Sequence, residues 1–131
     1  MRFGNTIAVL GSGFNHIYPK ENTKLAKQIV DNGGLLISEY APDVISQATH
    51  FPRRNSIIVA LSKGVVVVEA KKRSGTSITV DYALEYSKEV YAVPGNILSI
   101  KSAGTNQLIK DGAMVYTEIR DLLSKSLSSE T

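Results

Sequence analysis

Two segments of the chain combine cations, hydroxyls and turn residues in a way suited to holding phosphate. The first is Phe51-Pro52-Arg53-Arg54-Asn55 and the second is Lys71-Lys72-Arg73-Ser74-Gly75-Thr76. Pro52 favours a helix start. Two guanidiniums at the positive end of a helix oppose its dipole, so an anion beside Arg53 and Arg54 would offset that cost. Phe51 adds a ring able to stack on a base. In the second segment, the Ser74 and Thr76 hydroxyls stand beside the unpaired N–H groups of a helix's first turn, a natural seat for an anion. The plainer alternatives are a solvated arginine pair beside a core phenylalanine, and an ordinary Ser or Thr cap beside a solvated charge run.

Gly11-Ser12-Gly13 follows an apolar run and would let backbone N–H groups approach a phosphate. His16 stands where a dinucleotide fingerprint needs its third glycine, and no Gly-Lys-Ser/Thr follows, so neither a dinucleotide fingerprint nor a P-loop is present. A plain turn explains the same residues. Gly104-Thr105-Asn106 is a candidate third phosphate-facing turn, for which a helix cap is the simpler reading. His16 and His50 have no metal-ligand partner at helical spacing, and His50 is expected to line a loop or pack beside Phe51. Glu39 and Glu69 end predicted strands; they could pair with the arginines or act as acid and base, but nothing in the sequence brings them together. No Ser/His/Asp or Cys/His arrangement is present. No catalytic residue, metal or cofactor is implied.

Short, uniformly apolar strands must position these groups: Thr6–Leu10, Leu35–Glu39, Val65–Glu69, Val90–Val93 and an edge strand Ala113–Tyr116. Helices are predicted over Asn22–Asp31 with Leu25, Ile29 and Val30 on one face, and over Arg54–Ser62 with Ile57, Ile58 and Leu61 inward. Further helices are predicted over Thr76–Ser87, burying Ile78, Val80, Ala83 and Leu84, and over Gln107–Asp111 and Glu118–Ser124. Strands of this kind alternating with helices indicate an α/β, Rossmann-like, mostly parallel sheet with helices on both faces. Ligands of such sheets bind at the carboxyl ends of the strands. Those ends open here into Gly11–Gly13, Tyr40–Pro42, Ala70–Gly75 and Pro94-Gly95.

A chain of 131 residues with 43% hydrophobic and 21% charged residues suits one globular domain, expected over 1–124, with a frayed Ser-rich tail at 125–131. The net charge of +3 is a weak pointer to a polyanionic partner. The absence of cysteine excludes a disulfide framework and a thiolate zinc site, and fits a cytoplasmic protein. No segment approaches the length of a membrane span.

Taken in order, several words resemble the DNA-processing protein A family (DprA, also called Smf). They are Ile7–Gly13 with Ile17-Tyr18-Pro19 and Glu21-Asn22, Leu36–Tyr40, His50–Asn55, Val67–Ala70, Arg73–Thr76, Val93–Gly95, and Gly104–Ile109 through Asp111-Gly112-Ala113. They cover residues 6 to about 122. The resemblance implies a Rossmann-like domain that binds single-stranded DNA and hands it to the RecA recombinase in natural transformation, without catalysis. It implies a pocket drawing on Arg53, Arg54, Asn55, Arg73, Ser74 and Thr76, with Gly11–Gly13 and Gly104–Asn106 as backbone contacts. It also implies a homo-oligomer formed through Asn106, Ile109 and Val115.

Two departures qualify the resemblance. Ser56 stands where the family usually places a further basic residue, and the family's domain begins well before this chain does. The chain therefore resembles the second half of that domain, and an exposed strand edge is expected to be covered by oligomerisation or a remodelled sheet. Two other readings stand beside DNA binding. One is a nucleotide-binding, phosphoribohydrolase-like enzyme splitting nucleoside monophosphates, although the chain lacks a Pro-Gly-Gly word and Glu85 lies too far along its helix. The other is a half-domain that is inert alone.

Overall fold

A computed structural model describes residues 5–72 and 76–123. The chain divides into two compact units, Met1–Ile58 and Val59–Thr131.

In the first unit β1 (Ile7–Val9) pairs in parallel with β2 (Leu35–Ile37), in register Ile7↔Leu35 to Val9↔Ile37. A 3-10 turn at Lys20–Asn22, following a cis Tyr18-Pro19 bond, leads into α1 (Thr23–Asp31), which connects the two strands. Val9 and Ala26 are the buried apolar residues described in this unit. Helix α2 (His50–Ala60) begins here, four residues before the start expected at Arg54.

In the second unit β3 (Gly64–Val67), β4 (Glu89–Ala92) and β5 (Met114–Val115) form a parallel sheet in that order. Helix α3 (Thr76–Glu85) joins β3 to β4, and α4 (Ile100–Lys110) joins β4 to β5. Parallel neighbours need such crossovers, and each crossover here is a helix. Val67, Ala70 and Val80 form the core, with Val65, Val90 and Leu108 packed against it. Helical residues are described from Arg120 to Leu123, where the last helix is expected; the tail at 125–131 lies outside the described residues.

All three crossover helices end the same way. Gly34 N–H donates to Ile29 C=O, Lys88 N–H to Ala83 C=O and Ala113 N–H to Leu108 C=O, at 2.7–2.9 Å. In each case the preceding residue (Gly33, Ser87 or Gly112) has positive φ, at 86°, 57° and 110°. This is the Schellman closure, which satisfies the last helical carbonyls. In every case its donor immediately precedes the next strand.

Several expectations about buried faces need correction. Leu25 and Val30 are exposed while Ala26 is buried; Ile58 and Leu61 are exposed while Val59 is fully buried; Ile78 and Leu84 are exposed while Val80 and Ala83 are buried. The inward stripes are therefore narrow and built from small residues, so the larger aliphatics beside them fall outside the contact. The paired Ile7 and Leu35 are also open, so β1 and β2 are not covered on both faces along their whole length. The short helix expected at Gln107–Asp111 is the end of α4, which starts at Ile100, so Gly104-Thr105-Asn106 is mid-helix and not a turn.

Ser87 is the non-glycine among the described residues with positive φ. Glycine there removes a steric penalty that L-residues carry in the left-handed region. Ser87→Gly is expected to raise stability by about 0.5–1 kcal/mol, measured by urea denaturation. No gain would contradict the left-handed closure of α3.

Candidate nucleic-acid interface

The turn after β1 is held by side chains from two directions. Leu10 N–H continues the ladder to Ile37 C=O at 2.8 Å, so even-numbered residues of β1 face β2. Val9 and Gly11 therefore direct their carbonyls to the opposite edge, where α2 supplies the donors. Arg54 Nη1 donates to Val9 C=O at 2.9 Å and His50 Nδ1 meets Gly11 C=O at 2.8 Å. Since Gly11 C=O only accepts, this nitrogen carries the hydrogen. His50 and Arg54 are four residues apart and share one face of α2. Two helix side chains thus do for this strand end what a neighbouring strand's amides would do.

From the other side Ser38 Oγ donates to Ser12 C=O at 2.7 Å, and Gly13 N–H donates to Val44 C=O at 2.8 Å. Any Cβ on residue 13 would collide with the Ala41 and Pro42 backbone, which is why a glycine is needed there. Ser12 is buried. The Gly13 amide is therefore spent internally. Within Gly11–Gly13 it is the amides of Gly11 and Ser12 that have no hydrogen bond to another described residue.

Aromatic rings fill the space around this turn. The Phe51 ring packs 3.0 Å from where a Gly11 Cβ would stand. Tyr18 lies 5.9 Å from Phe51 in a tilted contact, and the Arg54 guanidinium carbon sits 5.5 Å from the Phe51 centroid, a cation–π distance. Arg54 Nε also donates to Asn55 Oδ1 at 3.1 Å. Burial pulls the Arg54 guanidinium below the usual arginine value. On the other side, Tyr40 and His50 stack at 4.0 Å. Burial first, and then the neighbouring Glu39 carboxylate, raise the Tyr40 phenol above its ordinary value.

The two adjacent arginines therefore differ in kind. Arg54 is a half-buried strut. Arg53 pairs through Nε with Glu39 Oε1 at 2.9 Å, yet its side chain remains 70% exposed. Its guanidinium keeps further N–H groups for a second acceptor. Glu39 thus meets an arginine, one of the two roles open to it from sequence.

In the second unit, Lys71, Lys72, Thr76, Ser77, Gln107 and Asp111 line an open cleft of about 350 Å³. Arg73, Ser74 and Gly75 lie outside the described residues. The Gly104–Asn106 groups are taken up by structure. Gly104 N–H donates to Ala70 C=O at 2.7 Å, and Thr105 is fully buried with its hydroxyl on Ser102 C=O. The Asn106 amide bonds both the N–H and the C=O of Gly95 at 3.1 Å. Of the residues expected at an oligomer interface, Asn106 is thus tied to Gly95, Ile109 is half-buried and Val115 is exposed. Glu85 closes α3, about 14 Å along the axis from Thr76 at 1.5 Å per residue. No cluster able to hold a metal ion occurs among the described residues, and no described helix is long and apolar enough to cross a membrane.

Sequence reasoning did not find the anchoring roles of His50 and Ser38. The available signal was the i, i+4 spacing of His50 and Arg54, which becomes informative only once the helix is known to start at His50.

Residues 1–127 match the family described as DNA recombination-mediator protein A. The chain is 49% identical over 120 residues to protein Smf of Escherichia coli, and 44% identical over 122 residues to DNA processing protein DprA of Streptococcus pneumoniae. It aligns over 92% and 93% of its own length but spans only 32% and 43% of theirs. The X-ray structure of the S. pneumoniae protein superposes with a TM-score of 0.87 at 45% identity, over 92% of this chain and 42% of that one. The Helicobacter pylori DNA processing protein A, whose structure addresses a single-stranded DNA binding mode, gives 0.84 at 30% identity, over 95% of this chain and 57% of that one.

The contrast between the two arginines is directly measurable. Arg54→Ala leaves a carbonyl without its donor and removes a ring contact, so a loss of about 1–3 kcal/mol in unfolding free energy is expected. Arg53→Ala, at an exposed ion pair, is expected to change it by less than about 0.5 kcal/mol. Equal effects in thermal or urea denaturation would refute the division of roles.

Proposed function

Because the chain belongs to the DNA recombination-mediator protein A family, we propose that it binds single-stranded DNA at the turn after β1 and the start of α2, as part of a DprA-type role in natural transformation. The observation that carries this reading is Arg53. It is an exposed guanidinium, oriented through one nitrogen by Glu39, beside a turn whose carbonyls are anchored by His50 and Ser38. Anchoring the Gly11 carbonyl turns the Ser12 amide of the same peptide plane the opposite way, because a trans peptide points its C=O and N–H in opposing directions. A phosphate would take hydrogen bonds from Arg53 and, of the amides in this turn, from that of Ser12. Phe51 and Tyr18 supply ring faces of the kind on which bases stack. Asn55 and Arg54 contribute by holding the frame.

In the second unit Lys71, Lys72 and Thr76, together with Arg73, Ser74 and Gly75, extend the charge available to a backbone. Gly104–Asn106 act in this reading by seating α4 against the chain that follows β3. The reading includes no catalytic step. As a mediator the chain would present the bound strand to the RecA recombinase, and it would act as a homo-oligomer through the surface around Ile109 and Val115.

Titrating a labelled oligothymidine by fluorescence anisotropy at several salt concentrations tests the reading. Log K is expected to fall linearly with log salt, by about 0.7 per neutralised phosphate. Arg53→Ala should weaken all sequences alike, leaving stability intact. Arg54 is left out of this test because its loss would unsettle the fold itself. Binding by Arg53→Ala equal to the parent would displace the site, and a parent that binds no oligonucleotide at low salt would end the proposal.

A further inference from the structure

The loop from β4 to α4 and the first residue of α4 carry the most exposed large apolar side chains described: Ile97 and Leu98 in the loop at 87%, and Ile100 at 70%. Such residues usually collapse onto a neighbouring surface, but this loop is braced open. Asn106 grips the Gly95 backbone from both sides. Asn96 then fixes the next turn, its Oδ1 accepting from Leu98 N–H at 2.9 Å and its C=O from Ser99 N–H at 3.0 Å. The apolar tip is therefore held ready, with its ordering entropy already spent on folding.

Charge tells what it is ready for. The loop leaves the carboxyl end of β4, and because β3 runs parallel, Lys71 and Lys72 leave the same end of the sheet. Ala70 N–H donates to Lys101 C=O at 2.9 Å, bringing the first turn of α4 beside the segment that carries those lysines. Lys71, Lys72 and Lys101 are exposed, and none pairs with a carboxylate among the described residues. Glu69 is the exposed acid at this end of β3, and Asp111 lines the cleft with the two lysines while accepting from Gln107. Cations still outnumber acids. Aliphatic side chains set among lysines match a polymer of apolar base faces strung on phosphates.

We propose that Ile97 and Leu98 form a second contact for single-stranded nucleic acid, packing against unstacked base faces while Lys71, Lys72 and Lys101 take the adjacent phosphates. The inference rests on the DNA-binding reading above but assigns a separate surface, in the second unit. Nothing in it requires the Arg53 turn to contribute the same nucleotides.

The test compares an oligothymidine with an abasic strand of equal length, for the full chain and for Ile97→Ser/Leu98→Ser. The parent is expected to prefer the strand with bases, and the variant to bind it about tenfold more weakly while binding the abasic strand unchanged. The triple variant Lys71→Ala/Lys72→Ala/Lys101→Ala is expected to lower the salt slope by about 2. Sedimentation velocity of parent and Ile97→Ser/Leu98→Ser accompanies the titrations. An unchanged preference for bases in the variant overturns the wedge while leaving the Arg53 site standing. A change of oligomeric state with no change in base preference assigns the loop to a protein contact and equally overturns it. Failure of the parent to bind either strand removes both proposals.

Discussion

The candidate site depends on one constraint: a strand that ends in open space must still satisfy its carbonyls. The Val9 and Gly11 carbonyls face away from β2, and α2 meets them with Arg54 and His50. A buried unpaired carbonyl would cost on the order of 1–3 kcal/mol, so this contact ties the start of α2 to the end of β1. Everything placed on that helix start inherits the tie. Phe51 lies on Gly11, Tyr40 stacks on His50, and Arg53 projects outward because its neighbour projects inward.

This arrangement separates support from contact within two adjacent residues. Successive helix positions are rotated by about 100°, so one of a consecutive pair can face the strand while the other faces solvent. The same economy appears around α4. Gly104 approaches the Ala70 carbonyl, Thr105 is buried, and Asn106 braces the Gly95 loop. Three consecutive residues read as a possible ligand turn thus maintain the frame on which exposed groups stand.

Much of the fold was legible before any coordinates. All five strands lie inside their expected ranges or within one residue of them, since short β-branched runs bounded by glycine leave little choice. The extent of α4 was not legible, because Gly104 argues locally for a break and its reason is tertiary: a side chain there would strike the Ala70 and Lys71 carbonyls. Helix faces were misjudged at the larger aliphatics Leu25, Val30, Ile58, Leu61, Ile78 and Leu84, which are exposed, whereas Val80 and Ala83 are buried as expected. At the site, Arg53 and Arg54 were indistinguishable in sequence because their difference is created by Val9 and Glu39, distant along the chain. His50 went unread for the same reason. Resemblance to the family supplied the residue set, but not which member of it faces outward.

The three Schellman closures leave three residues between each crossover helix and its following strand: 32–34, 86–88 and 111–113. At the opposite end the connections are longer and uneven. Length variation is therefore tolerated on one side of each sheet only. A single-residue insertion in α1, α3 or α4 would swing the exit by a quarter turn with no slack to absorb it, whereas the longer connections after β1, β3 and β4 have room to absorb one outside their hydrogen-bonded turns. A lineage of such chains could retune its grip on a ligand by indels at that rim, with the opposite rim serving as an invariant ruler for the fold.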